Sequence, residues 1–127
     1  MEKDNMDKGK MMISKMIAVM LMSNTFARIA HLKTPSYAKH KALNEFYDEI
    51  VELQDRFAEV AQGMFGKLDI EYVKMVGNTE DPVDGLAKHL ELLHGYAKGC
   101  ENGALRAIYD EVEALYKETN YLMKELN

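Results

Sequence analysis

The sequence predicts an all-α protein, a bundle of four helices, and three observations carry that prediction. Apolar residues recur at steps of three and four, the period of a helix that buries one face. The only two prolines, Pro35 and Pro82, stand where this apolar pattern breaks. No segment alternates apolar and polar residues for long enough to predict a sheet. A chain of 127 residues can bury one core, so we expect a single domain over residues 1–127.

The first helix is predicted over about residues 9–32, after a frayed start at residues 1–8. Its apolar stripe consists of Ile13, Met16, Ile17, Met20, Ala27 and Ala30. Thr34 is predicted to cap the second helix, with Pro35 in the first helical turn, where its missing N–H is not needed. The turn between the two helices is short, so we expect them to be antiparallel.

The second helix has the most regular apolar stripe of the chain. Its positions alternate steps of three and four, as in the seam of a bundle: Leu43, Phe46, Ile50, Leu53, Phe57, Val60 and Met64. Gly63 and Gly66 weaken the end of this helix, and residues 67–82 are predicted to form a linker. A connection of that length allows the chain to cross the bundle instead of forming a tight hairpin.

Two more helices are predicted after the linker. The third has an inward stripe of Val83, Leu86, Ala87, Leu90, Leu93 and Ala97. The fourth runs from about 104 to 126 on Leu105, Ile108, Val112, Leu115 and Leu122. On the third helix, His94 is predicted to be buried or at an interface, whereas His89 is predicted to face solvent. Three tyrosines of the fourth helix are expected to pack at an interface or a rim: Tyr109, Tyr116 and Tyr121.

Composition weighs against several classes of protein. The formal net charge is −5, so we do not expect a nucleic-acid binder, which needs a basic face. No apolar run reaches the roughly 18 residues of a membrane span, and the closest is residues 16–22. The single cysteine, Cys100, cannot form an internal disulfide, and the first ten residues lack the apolar region of a secretory signal. We therefore expect a cytoplasmic protein.

A second, polar stripe of the second helix carries the candidate site. Four residues form two i,i+4 pairs on this stripe: His40, Asn44, Asp55 and Glu59. Each residue advances 100° around a helix, so on a helical wheel these four residues lie within an arc of about 100°, away from the apolar seam. Tyr47, Val51 and Ala58 lie on the same stripe, and apolar residues among charges favour contact with another chain. On the residues alone, a solvated polar face is the alternative interpretation.

The distances along the helix require two chains for a metal site. Imidazole and carboxylate groups together suit iron, manganese or zinc. His40 and Asp55 are fifteen residues apart, about 22 Å along one helix, so one chain cannot bring both to one ion. If two copies pack antiparallel about a two-fold axis near Glu49 and Ile50, His40 of one copy faces Asp55 and Glu59 of the other. His31, at the end of the first helix, approaches His40 across the turn.

These residues resemble the pattern of the Dps-like mini-ferritins, in the ferritin-like superfamily. In that family a His ends the first helix and a second His begins the next. An acidic residue follows four positions later, and Asp and Glu stand fifteen and nineteen positions after the second His. Here His31, His40, Asp55 and Glu59 match, whereas Asn44 replaces the first acidic residue. The resemblance covers about residues 12–66, including YDEIVELQDRFAEVAQG.

The resemblance implies a ferritin-like bundle, packed as an antiparallel dimer or a larger assembly of identical chains. It implies iron(II) binding and oxidation, iron storage, and protection from peroxide. The ligands would be His31, His40, Asn44, Asp55 and Glu59, with zinc or manganese as alternatives to iron. The neutral Asn44 and the short third and fourth helices favour another function: a ferritin-like helical dimer without metal chemistry, a protein-binding or structural module such as a phage could encode.

Overall fold

The computed structural model of this protein describes residues 2–71 and 81–126, with side chains from residue 7 onward. These residues form four helices: α1 (Glu2–Lys33), α2 (Tyr37–Phe65), α3 (Pro82–Ala97) and α4 (Gly103–Glu125). No strand occurs in the described ranges, so the all-α prediction is confirmed there. Most of the predicted linker lies outside the described residues, and at its described ends residues 67–71 and 81 are not helical.

Each helix packs against two neighbours. α1 and α4 each contact α2 and α3, whereas α1 lies diagonally from α4 and α2 lies diagonally from α3 in the described residues. Contacts between neighbouring helices show that they run in opposite directions, because the residue number rises along one helix as it falls along the other. Between α1 and α2 these contacts are Asn24–Tyr47 and His31–His40. Between α1 and α3 they are Lys15–Tyr96 and Phe26–His89, and between α2 and α4 they are Phe46–Tyr116 and Arg56–Glu111. α2 and α3 are therefore parallel. The end of α2 and the start of α3 thus lie at opposite ends of the bundle, which agrees with the crossing that the length of the connection allows.

The cap of α2 is a different residue from the predicted one. The Ser36 hydroxyl caps α2 by accepting from the backbone N–H of Lys39 at 3.2 Å. The Thr34 hydroxyl instead accepts from the backbone N–H of Ser36, also at 3.2 Å. Thr34 and Pro35 are both used to reverse the chain after α1, which extends to Lys33. The predicted cap at Thr34 was therefore wrong by two residues.

The core contains large side chains from all four helices. Those that are fully buried are Met16, Ile17, Met20, Leu43, Phe46, Ile50, Phe57, Leu86, Leu93, Leu105, Tyr109 and Tyr116. The predicted seam of α2 lies inside, except at its end, where Met64 is exposed. Tyr109 and Tyr116 are core residues, so their predicted place at a rim was wrong, and Tyr121 alone of the three is exposed.

The orientation of α3 reverses the predicted roles of its two histidines. His89 is 2% exposed, whereas His94 is exposed. Gly85 permits this orientation, since a Cβ atom at that position would overlap the ring of Phe26 from α1. The face of α3 that carries Gly85 and His89 is therefore directed toward the core. Ala87, which was predicted to point inward, is exposed.

His89 belongs to a polar network inside the core, which joins three helices. Tyr116 donates its hydroxyl hydrogen to Ser23 Oγ at 2.5 Å, and Ser23 Oγ lies 2.8 Å from His89 Nδ1. Because the Ser23 oxygen accepts from Tyr116, its own hydrogen is available to His89. Burial lowers the pKa of His89 to about 4 and raises that of Tyr116, so both groups are neutral at pH 7.

None of the four helices, over its described residues, combines the length and the apolar character that crossing a membrane requires.

Candidate metal site

The hairpin between α1 and α2 brings two of the predicted ligands together. His31 lies in the last turn of α1 and His40 in the first turns of α2. Their imidazole rings stack, with centroids 3.9 Å apart and an angle of 28° between the ring planes. The short turn is the cause, because three residues separate Lys33 from Tyr37.

A backbone hydrogen bond fixes the protonation of the His40 ring. His40 Nδ1 lies 3.0 Å from the carbonyl oxygen of His31. A carbonyl oxygen can only accept, so Nδ1 must carry the hydrogen, and in the neutral ring Nε2 keeps its lone pair. Histidine ligands of metals commonly donate their other ring nitrogen to a carbonyl in this way. His40 is exposed, so this nitrogen is accessible from solvent.

Tyr47 organises the side chains next to the histidine pair. Its hydroxyl donates to Asn44 Oδ1 at 2.5 Å, and the edge of its ring meets the His31 ring at a centroid distance of 5.3 Å. The Arg28 guanidinium lies over the Tyr47 ring, 4.9 Å from its centroid. The Asn24 amide donates to the Tyr47 carbonyl oxygen at 2.8 Å. Asn44 lies one helical turn after His40, and its oxygen already accepts a hydrogen bond from Tyr47.

The sequence analysis assigned no role in the site to Arg28, Asn24 or Tyr47. The spacing of Asn24, Arg28 and His31, at steps of four and three, places them on one face of α1. That spacing was the available signal. The spacing alone does not show that this face of α1 contacts Tyr47. The orientation of α1 about its own axis depends on the packing of the whole bundle.

The two predicted carboxylate ligands lie apart from the histidines. Asp55 and Glu59 are exposed on α2, and neither forms a hydrogen bond or an ion pair with a described residue. In the described part of one chain, no three His, Cys, Asp or Glu side chains are close enough to hold a metal ion. The fold thus leaves the carboxylates available to another molecule but does not bring them to His31 and His40.

The polar stripe of α2, which the sequence predicted to face another chain, exposes fewer of its apolar residues than expected. Ala58 is buried, and Tyr47 is half-buried against α1, so their own chain accounts for both. Val51 remains exposed on this face. Contact with another chain is therefore not needed to explain Tyr47 and Ala58, and of the three apolar residues on the stripe only Val51 still favours it.

Charge is distributed unevenly along the chain, and the histidine pair lies in its basic part. Residues 8–44 contain seven lysines and arginines and no acidic residue. Residues 45–127 contain eight basic and 18 acidic residues. The division falls within α2, which begins with Lys39 and Lys41 and continues with exposed acidic residues at Glu45, Asp48, Glu49, Glu52, Asp55 and Glu59.

Comparison with known proteins places most of the chain in one family. Residues 31–123 match DUF5856, a family of unknown function. The chain belongs to this family. The matched region begins at His31 and contains the hairpin, α2, α3 and most of α4.

A bacteriophage protein is also similar to this chain. The chain is 22% identical over 118 residues to the uncharacterized 14.6 kDa protein in the mobD–ri intergenic region of Enterobacteria phage T4. The alignment covers 84% of each protein, so the two are similar over most of their lengths. No solved structure matches.

Proposed function

We propose that this protein binds a transition-metal ion, with iron as the first candidate, at sites shared by two chains of an antiparallel dimer. The observation that carries the proposal is the stacked pair of His31 and His40. One ring is anchored through Nδ1 to a backbone carbonyl and leaves Nε2 free to bind an ion. Two imidazole nitrogens at an exposed helix hairpin suit iron(II), and zinc or manganese are alternatives.

The topology of the bundle supports a ferritin-like assignment. Ferritin-like bundles differ from simple up-and-down bundles by one long crossover connection. Here the connections before α2 and before α4 are short, and one long connection joins the parallel helices α2 and α3. This arrangement supports the resemblance to the mini-ferritins.

Charge complementarity supports the antiparallel dimer. The basic start of α2 and its acidic remainder would meet if two copies of α2 ran in opposite directions. His31 and His40 of one copy would then face Asp55 and Glu59 of the other. The ion would have two nitrogen and two carboxylate ligands, with Asn44 beside it. Iron(II) held in this way would be open to oxidation by oxygen or peroxide, the chemistry of iron storage and of protection from peroxide.

Mixing two inactive variants tests the sharing of the site. His40→Ala and Glu59→Ala should each abolish oxidation of iron(II) above background, followed by ferric absorbance after air is admitted to anaerobic protein. In a mixed dimer, one site would combine the intact histidines of one chain with the intact carboxylates of the other. Each mixed dimer should therefore have one intact site and about half of the activity of a wild-type dimer.

Glu118→Ala, which removes an exposed carboxylate from α4, is the control and should oxidise iron like the wild type. Two results would contradict the proposal. One is oxidation at the background rate in wild type and variants alike. The other is a strictly monomeric protein by sedimentation.

A second candidate is the same dimer without metal chemistry, acting as a protein-binding or structural module. Asn44 favours it, because a neutral amide oxygen that already accepts from the Tyr47 hydroxyl is a weaker ligand than the carboxylate that stands at this position in the mini-ferritins. Arg28 and the two histidines could then pair directly with carboxylates of the second copy. In that case Glu59→Ala should weaken the dimer in the presence of a chelator, whereas a metal-dependent dimer should already dissociate on chelation.

A further inference from the structure

The hairpin between α1 and α2 lies at the same end of the bundle as the last turns of α4. Phe46 of α2 contacts Tyr116 of α4. At 1.5 Å per residue, α2 extends about 14 Å from Phe46 back to Tyr37, and α4 extends about 15 Å from Tyr116 on to Leu126. Both therefore reach about the same height, and we call this part of the molecule the hairpin end. It comprises residues 29–41 and 121–126.

Large apolar side chains project from the hairpin end into solvent. Among the described residues, nine such side chains are exposed, and five of them lie here: Ile29, Leu32, Tyr37, Tyr121 and Leu126. Leu32 and Tyr37 are each 78% exposed, the highest values of the nine. A side chain this exposed stands out from the surface, whereas one in a groove is partly covered by the walls. Protruding apolar groups can insert into a lipid bilayer without a matching pocket, which a protein partner would have to provide.

Cations accompany the apolar side chains of the hairpin end. They are Lys33, Lys39, Lys41 and Lys124, and all but the half-buried Lys39 are exposed. Glu125 is the one acidic residue of the hairpin end, although the whole chain has a formal net charge of −5. The charge of this surface is therefore opposite to that of the molecule.

The start of α3 brings two acidic residues to the same end of the bundle, but on another side. α3 lies diagonally from α2 in the described residues, so Asp81 and Asp84 lie at the corner opposite the start of α2. Asp84 forms an ion pair with Lys88 at 3.1 Å, and Asp81 accepts from the backbone N–H of Val83. The combination of cations and apolar groups thus belongs to α1, α2 and α4.

We infer that the hairpin end docks on the surface of an anionic membrane. Anionic headgroups attract lysines close to the surface, apolar side chains enter the boundary of the acyl chains, and tyrosine suits the interface between the two. A nucleic acid would pair with the lysines but would leave Leu32 and Leu126 in water. The docking requires no metal ion, and in the proposed dimer each hairpin end would dock by itself, since the two would point in opposite directions.

Sedimentation with vesicles tests the docking. The protein should bind vesicles of equal parts phosphatidylglycerol and phosphatidylcholine, should not bind phosphatidylcholine alone, and should be released as salt is raised. The double variant Leu32→Ser, Tyr37→Ser should bind at least about tenfold more weakly, because neither position then buries apolar surface in the bilayer. Lys33→Gln and Lys41→Gln should each weaken binding about fivefold.

Matched controls change the same kinds of residue at the opposite end of the bundle. Met64 is an exposed apolar residue near the end of α2, and Lys67 is an exposed lysine just after it. Met64→Ser and Lys67→Gln should bind the anionic vesicles like the wild type.

A tryptophan at the hairpin end tests insertion directly. The chain contains no tryptophan, so Tyr37→Trp supplies a single indole at this position. Its fluorescence should shift to shorter wavelength with anionic vesicles and should be quenched by brominated lipid, because the indole leaves water for the interface. Met64→Trp places the indole at the opposite end and should show neither effect.

Two results would overturn the inference. One is a wild-type protein that does not bind the anionic vesicles at low salt, which would assign the exposed apolar groups to a protein partner. The other is vesicle binding that the double variant Leu32→Ser, Tyr37→Ser retains in full, that the lysine variants lose, and that a single-stranded oligonucleotide displaces. That pattern would show a site for polyanions in general, without insertion into the bilayer.

Discussion

Two clusters in this protein combine histidine, tyrosine and a small polar residue, one in the core and one at the surface. In the core, Tyr116 donates to Ser23, and Ser23 lies against His89. At the hairpin, Tyr47 donates to Asn44 beside the His31–His40 pair. In both, a tyrosine hydroxyl donates to an oxygen that lies beside a histidine. The groups are similar, but their burial differs, and burial decides what each histidine can do.

The core histidine has no access to a ligand and serves the fold. His89 is 2% exposed, its Nδ1 lies against Ser23, and the ring of Phe26 meets its ring at a centroid distance of 5.1 Å. The exposed His40 has Nδ1 bonded to the hairpin backbone and a free Nε2. The same side chain is thus a structural group in α3 and a candidate ligand in α2.

Acid should cause the largest change in stability, and it should act through the core cluster. Burial lowers the pKa of His89 from 6.5 to about 4. Between these values the unfolded chain binds a proton that the folded chain does not. The free energy of unfolding should therefore fall as pH drops from 6.5 to 4, by up to about 3 kcal/mol, and this contribution should level off below pH 4. Urea unfolding at a series of pH values measures it.

Two variants assign this pH dependence to one residue. His89→Gln, which cannot titrate, should flatten the curve between pH 6.5 and 4. His94→Gln removes an exposed histidine of the same helix, 3.5 Å from Glu113, and should change that part of the curve much less than His89→Gln does. An equally steep loss of stability in His89→Gln would show that other groups cause it.

Gly85→Ala should destabilise the protein by disturbing the packing of Phe26, whose ring contacts His89. The added methyl group meets the Phe26 ring, so we expect a loss of about 2 kcal/mol in the free energy of unfolding. Gly95→Ala on the same helix meets open space and should stabilise the protein by about 0.5 kcal/mol or more, since alanine favours a helix. If Phe26→Leu does not reduce the cost of Gly85→Ala in the double variant, the overlap is not the cause.

Two buried tyrosines of α4 should respond in opposite ways to loss of the hydroxyl. Tyr116→Phe removes the donor to Ser23 and should cost about 1 kcal/mol of stability. The Tyr109 hydroxyl is buried without a partner among the described residues, so Tyr109→Phe should be neutral or stabilising. Thermal unfolding followed by circular dichroism compares the two, and an equal loss in both would refute the role of the network.

The smallest effect on stability should come from the hairpin. His40→Ala removes an exposed side chain, so the free energy of unfolding should change by no more than about 0.5 kcal/mol. In the same variant, Zn²⁺ binding should weaken at least about tenfold, because one ligand is lost. A loss of stability as large as that of Gly85→Ala would mean that His40 serves the fold, as His89 does.

The helices and much of the core could be predicted because they follow from apolar periodicity. The stripe of α2 has a strong period, and Leu43, Phe46, Ile50 and Phe57 are all fully buried. The approach of His31 to His40 follows from the short turn between the helices. These features depend on residues close together in the chain.

Other features depend on contacts between distant residues, and the sequence did not reveal them. His89 was misplaced because an apolar stripe does not include a glycine, yet Gly85 sets how closely α3 approaches Phe26. The Tyr47–Asn44 bond lies within one helix, at a spacing of three residues, but the spacing does not show where the hydroxyl points. Asp55 and Glu59 are exposed, and no contact within the described part of the chain indicates what they would bind.

The two hydrogen bonds that join Ser23 to His89 and Tyr116 also bear on the kinetics of folding. Ser23 is separated from His89 by 66 positions in the sequence and from Tyr116 by 93, and the long connection between α2 and α3 lies between them. The α1–α2 hairpin closes only a short loop and can form early, whereas this network requires both halves of the chain to be in place. Substitutions in the network should therefore accelerate unfolding more than they slow refolding, so that Ser23, His89 and Tyr116 control how long the native state lasts once it has formed.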